Sequence, residues 1–155
     1  MPGTTRLAVA AAAAVLAVAA LTACTGGGGA PAASSAAQEG TDVDLQSVYA
    51  AVSAADPGVE DPLGTVSTSG MAKTLSVSVL VPADEPVTAE RLVAIFVAIR
   101  DTTPASIETV TVIARDAADE EKIVDLSAAV AGLPDDVTAL HDGGVTLSRV
   151  DLEKL

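Results

Sequence analysis

From Thr74 to Val79 apolar and polar residues alternate strictly, and Val81 keeps the phase, so that Leu75, Val77, Val79 and Val81 are set against Thr74, Ser76 and Ser78. A period of two in β-branched residues predicts a strand with one face on a core and the other towards water. The period then changes. Leu92, Ile95, Phe96 and Ile99 recur at i, i+3, i+4 and i+7, which predicts a helix capped by Thr88 and ended by Pro104. Val93 and Val97 widen the apolar stripe, so this helix should be buried over much of its circumference.

The other elements carry weaker signals. Thr41 to Ala55 reads as a first helix with Asp42 as N-cap, stopped by Asp56-Pro57-Gly58. Leu63 to Ser69 reads as an apolar-poor edge strand, followed by a turn at Ser69-Gly70. Ile107 to Ala114 is a strand with Val110 and Val112 on one face. Ala117 to Glu121 reads as a charged turn, Ile123-Val124 as a short strand, and Leu126 to Ala131 as a short helix closed by Gly132-Leu133-Pro134. Val137 to Leu140 and Val145 to Val150 read as a last hairpin across His141-Asp142-Gly143-Gly144, with a helix as the alternative for this C-terminal segment. The order α-β-β-α-β-β predicts an α+β two-layer sandwich, an antiparallel sheet with helices on one face. This order resembles the ferredoxin-like group.

The first 23 residues have a different pattern. Met1 to Arg6 carries one arginine, and Leu7 to Leu21 is an unbroken run of Leu, Ala and Val. That run is shorter than the ~20 apolar residues of a spanning helix and suits the apolar region of a secretory signal. It ends in Leu21-Thr22-Ala23-Cys24, which resembles the lipobox of bacterial lipoproteins. The resemblance implies a diacylglyceryl group on the Cys24 thiol and cleavage between Ala23 and Cys24. It makes residues 1–23 a signal peptide and gives the lone cysteine a role, where a free exported thiol would be anomalous. Thr25, Gly26 to Gly29 and an Ala/Pro/Ser stretch to Ala37 follow. Residues 24–40 are thus expected to be a lipidated cysteine and flexible tether reaching roughly 20–25 Å, with a single domain over residues 41–155.

Charge narrows the partners. The formal net charge is −13, and removal of residues 1–23 discards only Arg6, so the exported chain is one unit more negative. A field of that sign repels phosphate backbones and anionic headgroups. Nucleic acid is excluded as a partner, and membrane attachment falls to the lipid. With one Tyr, one Phe and no Trp, the core must be built from Val, Leu, Ile and Ala.

Candidate chemistry is sparse. His141 beside Asp142 could be an oriented base, but it lies in a turn that calls for Asp and Gly, and no Gly-x-Ser-x-Gly element is present. The acidic groups Glu60-Asp61, Asp116 to Glu121 and Asp135-Asp136 invite calcium, yet none has the alternating acids and central glycine of an EF-hand loop. Gly26 to Gly29 lacks the preceding strand and following Lys-Ser/Thr of a phosphate loop. Lys73, Arg91, Arg100, Arg115 and Lys122 could pair with neighbours, and Glu90 and Arg91 read as the solvated edge of the second helix. No catalytic residue, metal ligand or dissociable cofactor is assigned, only the covalent acyl lipid on Cys24.

The lipobox, the tether and the alanine bias together resemble small lipoproteins of high-GC Gram-positive, actinobacterial bacteria. That likeness implies an exported protein on the outer face of the cell membrane. The leading expectation is a non-enzymatic module that binds an envelope protein; the alternative is a carrier or sensor of a small ligand or divalent cation. A third reading, an envelope hydrolase, would need His141 beside a hydroxyl in a cleft. Cys24→Ala is expected to release the protein from membranes and abolish incorporation of labelled palmitate, as measured by fractionation and mass spectrometry.

Overall fold

The computed structural model describes residues 43–155, and the elements within them follow the alternation of the sequence closely. Helix α1 spans Leu45–Ala55, strands β1 and β2 span Glu60–Ser69 and Ala72–Val81, and helix α2 spans Ala89–Thr102. Strands β3 (Ile107–Asp116) and β4 (Asp119–Ile123) precede the one-turn helix α3 (Ser127–Val130). Strands β5 (Ala139–His141) and β6 (Val145–Ser148) lead into a second one-turn helix, α4 (Arg149–Leu152).

The protein is α+β with a six-stranded sheet, and that sheet is mixed. The strand order is β1-β2-β3-β6-β5, with β4 also on β3. The expected antiparallel sheet is corrected at its centre: β2 and β3 are neighbours and parallel, paired from Thr74↔Thr109 to Val81↔Asp116. The cause is α2, which starts after β2 and ends before β3, so the chain re-enters the sheet in the same direction. Since β2 lies along one edge of β3, β6 and β4 must share the other. Strand β6 pairs with Thr109–Val112 and β4 with Arg115 and Asp116. Gly144 sits where β6 approaches β3; a Cβ there would come within 2.9 Å of the Val112 carbonyl oxygen.

Burial follows the pleat. Leu75, Val77, Val79 and Val81 of β2 join Val110, Val112 and Ala114 of β3 and Val145 and Leu147 of β6 in one core. Helix α1 contributes Val48 and Val52; α2 contributes Leu92, Ile95, Phe96 and Ile99. Phe96 is fully buried, and as the only phenylalanine it is the largest side chain filling this aliphatic core. Burying such a ring is worth about 1.5–3 kcal/mol over leaving it exposed. Helices α1, α3 and α4 each contact α2.

One helix start differs from expectation. The expected N-cap Asp42 and Thr41 lie outside the described residues, and Asp44 is the cap: its carboxylate accepts from the backbone N–H of Gln46 and Ser47. Only a residue two or three positions before those free N–H groups can reach them. Helix α2 begins as expected, with the Thr88 hydroxyl accepting from Arg91 N–H. Arg91, however, is not part of a solvated edge. Its guanidinium grips Asp56, the C-cap of α1, through Nε at 2.7 Å and Nη2 at 3.2 Å. Asp56 also accepts from Gly58 N–H at 3.0 Å, so one carboxylate closes α1, shapes the following turn and ties α1 to α2.

The charged turn expected at Ala117 to Glu121 is confined to Ala117 and Ala118, and Asp119–Glu121 already belong to β4. At the C-terminus the hairpin stands as expected, but the chain then turns into α4 instead of extending the strand to Val150. Ser148 and Asp151 cap this turn reciprocally: Asp151 N–H donates to Ser148 Oγ, and that hydroxyl donates to Asp151 Oδ2 at 2.6 Å. Asp151 also accepts from Thr138 N–H at 3.1 Å and Lys154 Nζ at 2.7 Å. These donors, Lys154 foremost, hold its carboxyl down to about 2 from an ordinary 3.8. The unfolded chain therefore takes up this proton more readily than the folded one, and the stabilisation is lost as pH falls from about 4 to about 2. In urea titrations across that window, Asp151→Asn is expected to be less stable than wild type at pH 7 and to lose less on acidification.

Candidate functional site

The sheet's second set of residues defines the candidate surface. On β2 these are Thr74, Ser76, Ser78 and Leu80; their partners are Thr109, Thr111, Ile113 and Arg115 on β3. On β1 the partners are Ser67, Thr65 and Leu63, and Thr146 of β6 continues the row of Thr111. The rows are graded along the strands. Two are built of hydroxyls, including a 2.9 Å Thr111–Thr146 contact. The other two carry Leu63, Ile113, Leu80, Arg115 and, on β4, Ile123. Leu63 and Leu140 are about two-thirds exposed.

Strand β1 is an outer strand of the sheet, and its edge is partly guarded. The Tyr49 hydroxyl accepts from Gly64 N–H at 2.8 Å and donates to Gly64 C=O at 3.3 Å. The peptide groups of Gly64 therefore face away from β2, and the phenol occupies the position where a further strand would pair. Gly64 is needed for this approach: a Cβ would meet the Tyr49 ring at 3.2 Å and Leu45 at 3.1 Å. Alternation puts the peptide groups of Val66 and Thr68 on the same outer edge, where no partner occupies them among the described residues. No charged side chain lies between Leu63 and Ser69.

Beyond Tyr49 the edge opens into a groove of about 830 Å³. Its walls include Gln46, Tyr49 and Ala50 of α1, Asp61, Pro62 and Leu63 of β1, Leu80, Arg115 and Glu120. A β-bulge makes the opening: the register shifts between Glu60 and Leu63, so Asp61 and Pro62 together oppose a single residue of β2. Asp61 has φ 40°, the one non-glycine residue in the left-handed region among the described residues.

The sequence candidates are distributed differently. Leu21, Thr22, Ala23 and Cys24 lie outside the described residues. His141 does not pair with Asp142; its Nε2 lies 3.8 Å from Asp125 Oδ1. Asp125 in turn accepts from Ser127 Oγ at 3.0 Å and Ser127 N–H at 2.9 Å, bonds that lower its pKa. The carboxylate thus stands between hydroxyl and imidazole, so His141 is not placed to take the Ser127 proton. Asp125 and Ser127 were absent from the sequence candidates, although Asp-x-Ser before a short helix is a turn signal.

Two members of the Asp116 to Glu121 group serve local structure. Asp116 accepts from Lys122 Nζ at 2.9 Å and Ala118 N–H at 2.9 Å, Lys122 being the main cause of its lowered pKa. Asp119 accepts from Glu121 N–H. Among the described residues no three His, Cys, Asp or Glu side chains converge as a metal site, and no helix is long and apolar enough to cross a membrane. Asp44 is held below its ordinary pKa chiefly by the Ser47 hydroxyl, which again serves a helix start.

No family model, curated protein or solved structure matches the chain.

Proposed function

We propose that this chain is an exported lipoprotein, lipidated at Cys24 and held on the outer face of the cell membrane, whose domain binds another envelope protein. Residues 24–40 serve as its tether, and no nucleic acid is involved. The observation that carries the reading is the β1 edge with its adjoining sheet face. Natural edge strands are blunted by charge, proline or bulges. Here the bulge and Pro62 protect only the start of β1, and Tyr49 protects Gly64. Among the described residues Val66 and Thr68 are left with unpaired peptide groups on an uncharged stretch, the pattern that strand addition uses.

The same reading makes a two-layer sandwich of the domain, with helices on the core face and the hydroxyl-rich rows bare. The ferredoxin-like likeness extends only to α+β layering. In that group the β-α-β unit is split, whereas β2 and β3 are direct neighbours.

Crosslinking in intact cells, followed by purification from membranes, tests the reading with Thr65→Lys as the edge variant. A discrete partner should be captured by the wild-type chain and at least 10-fold less by Thr65→Lys. The variant should remain membrane-bound with an unchanged Tm. Equal capture by both, or no partner for either, overturns the proposal.

A further inference from the structure

The groove behind Tyr49 holds charges of both signs that the fold does not use. Arg91, Arg100 and Arg149 each have a carboxylate within 4 Å: Asp56, Asp101 and Glu153. Arg115 alone among the described arginines has none, in a chain with 21 acids and 8 bases. Its Nη1 donates to the backbone carbonyl of Glu120 at 2.8 Å, which fixes the guanidinium at the groove wall without neutralising it. Across the groove, the Asp61 side chain makes no hydrogen bond or ion pair among the described residues. The bulge holds it in a backbone conformation that costs energy for a side-chain-bearing residue, as strained residues at ligand sites often do.

Between the two charges lies an apolar floor. Leu80 is the cross-strand partner of Arg115 on one side and Glu60, beside Asp61, on the other. Arg115 and the bulge are therefore two strand spacings apart, about 10 Å. Leu63 and the Tyr49 ring extend the floor.

We infer that this groove binds a short peptide with free termini and apolar side chains, its carboxylate on Arg115 and its ammonium on Asp61. Charge and length select this class. An apolar monoanion would meet Asp61 with no charge to offset it, and the negative field of the whole chain. An apolar cation would meet Arg115. A zwitterion is attracted at both ends. The charges of a single amino acid sit too close together to reach both walls, whereas three extended residues at ~3.3–3.6 Å each cover about 10 Å. The guanidinium fork suits a terminal carboxylate bidentately, and the volume is of the size that encloses small ligands. This site stands apart from the Val66–Thr68 edge and does not depend on a protein partner there.

Tyr49, the only tyrosine in a chain without tryptophan, reports on the groove directly. The full chain is titrated with the tripeptide Ala-Leu-Ala and with its N-acetylated and C-amidated forms, following tyrosine fluorescence and amide chemical shifts. Saturable changes are expected at Tyr49, Leu63, Leu80 and Arg115, with each blocked peptide binding at least 10-fold weaker. Arg115→Gln keeps a donor for the Glu120 carbonyl and should lose discrimination between the free and amidated carboxyl end. Asp61→Asn tolerates the same backbone conformation and should lose discrimination between the free and acetylated amino end. An unchanged Tm in both variants separates binding from folding. Absence of saturable change at millimolar peptide, or equal binding of free and doubly blocked peptide, overturns the inference. So does sensitivity to the carboxylate alone, which would assign the groove to simple apolar anions.

Discussion

The parallel ladder between β2 and β3 is the constraint on which the rest of the domain depends. Its paired residues supply the inner positions Leu75, Val77, Val79, Val110, Val112 and Ala114. None of these side chains is larger than leucine, so the ladder can be stable only if something bulkier closes over it. Helix α2 does so as the connection that makes the pairing parallel, bringing Phe96 and three aliphatic residues onto the same face. Parallel strands are usually covered on both faces. Here only two strands are parallel and antiparallel strands flank them, so the outer face of the ladder carries serine and threonine at five of its eight positions.

From that ladder follows a problem of edges. Strand β3 has one free side and two claimants, and the chain resolves this by giving β6 the first half and β4 the last two residues. On the far side β1 is left as an outer strand. A tyrosine hydroxyl, able both to donate and to accept, covers one peptide there, and a bulge breaks the pairing further along. The same bulge that interrupts the ladder opens the groove, so edge protection and the candidate site share a cause.

The acidic composition has a comparable resolution. Asp44, Asp56, Asp116, Asp125 and Asp151 all accept backbone N–H bonds at helix starts or turns, and three of them also hold a basic side chain. These five carboxylates are thus committed to the backbone they cap. Arg115 and Asp61 are not consumed in this way, and they face one groove.

Most strands and helices, and the face each one buries, could be read from local sequence, the exceptions being Asp119–Glu121 of β4 and the α4 turn. Alternation at Thr74–Val81, the i, i+3, i+4 stripe of Leu92–Ile99, the Thr88 cap and the Gly-Gly hairpin are local signals, and local sterics and burial suffice to enforce them. Ser148-Arg149-Val150-Asp151 carries the capping-box pattern of α4, but strand periodicity masked it. Tertiary structure alone decided which edges meet. The parallel pairing of β2 with β3, the Tyr49–Gly64 contact over 15 residues and the Asp56–Arg91 pair over 35 leave no periodic trace. Neither does the groove between Asp61 and Arg115. Periodicity records the burial of a face, whereas edge pairing and side-chain convergence depend on where distant segments are carried by the packing of the whole core.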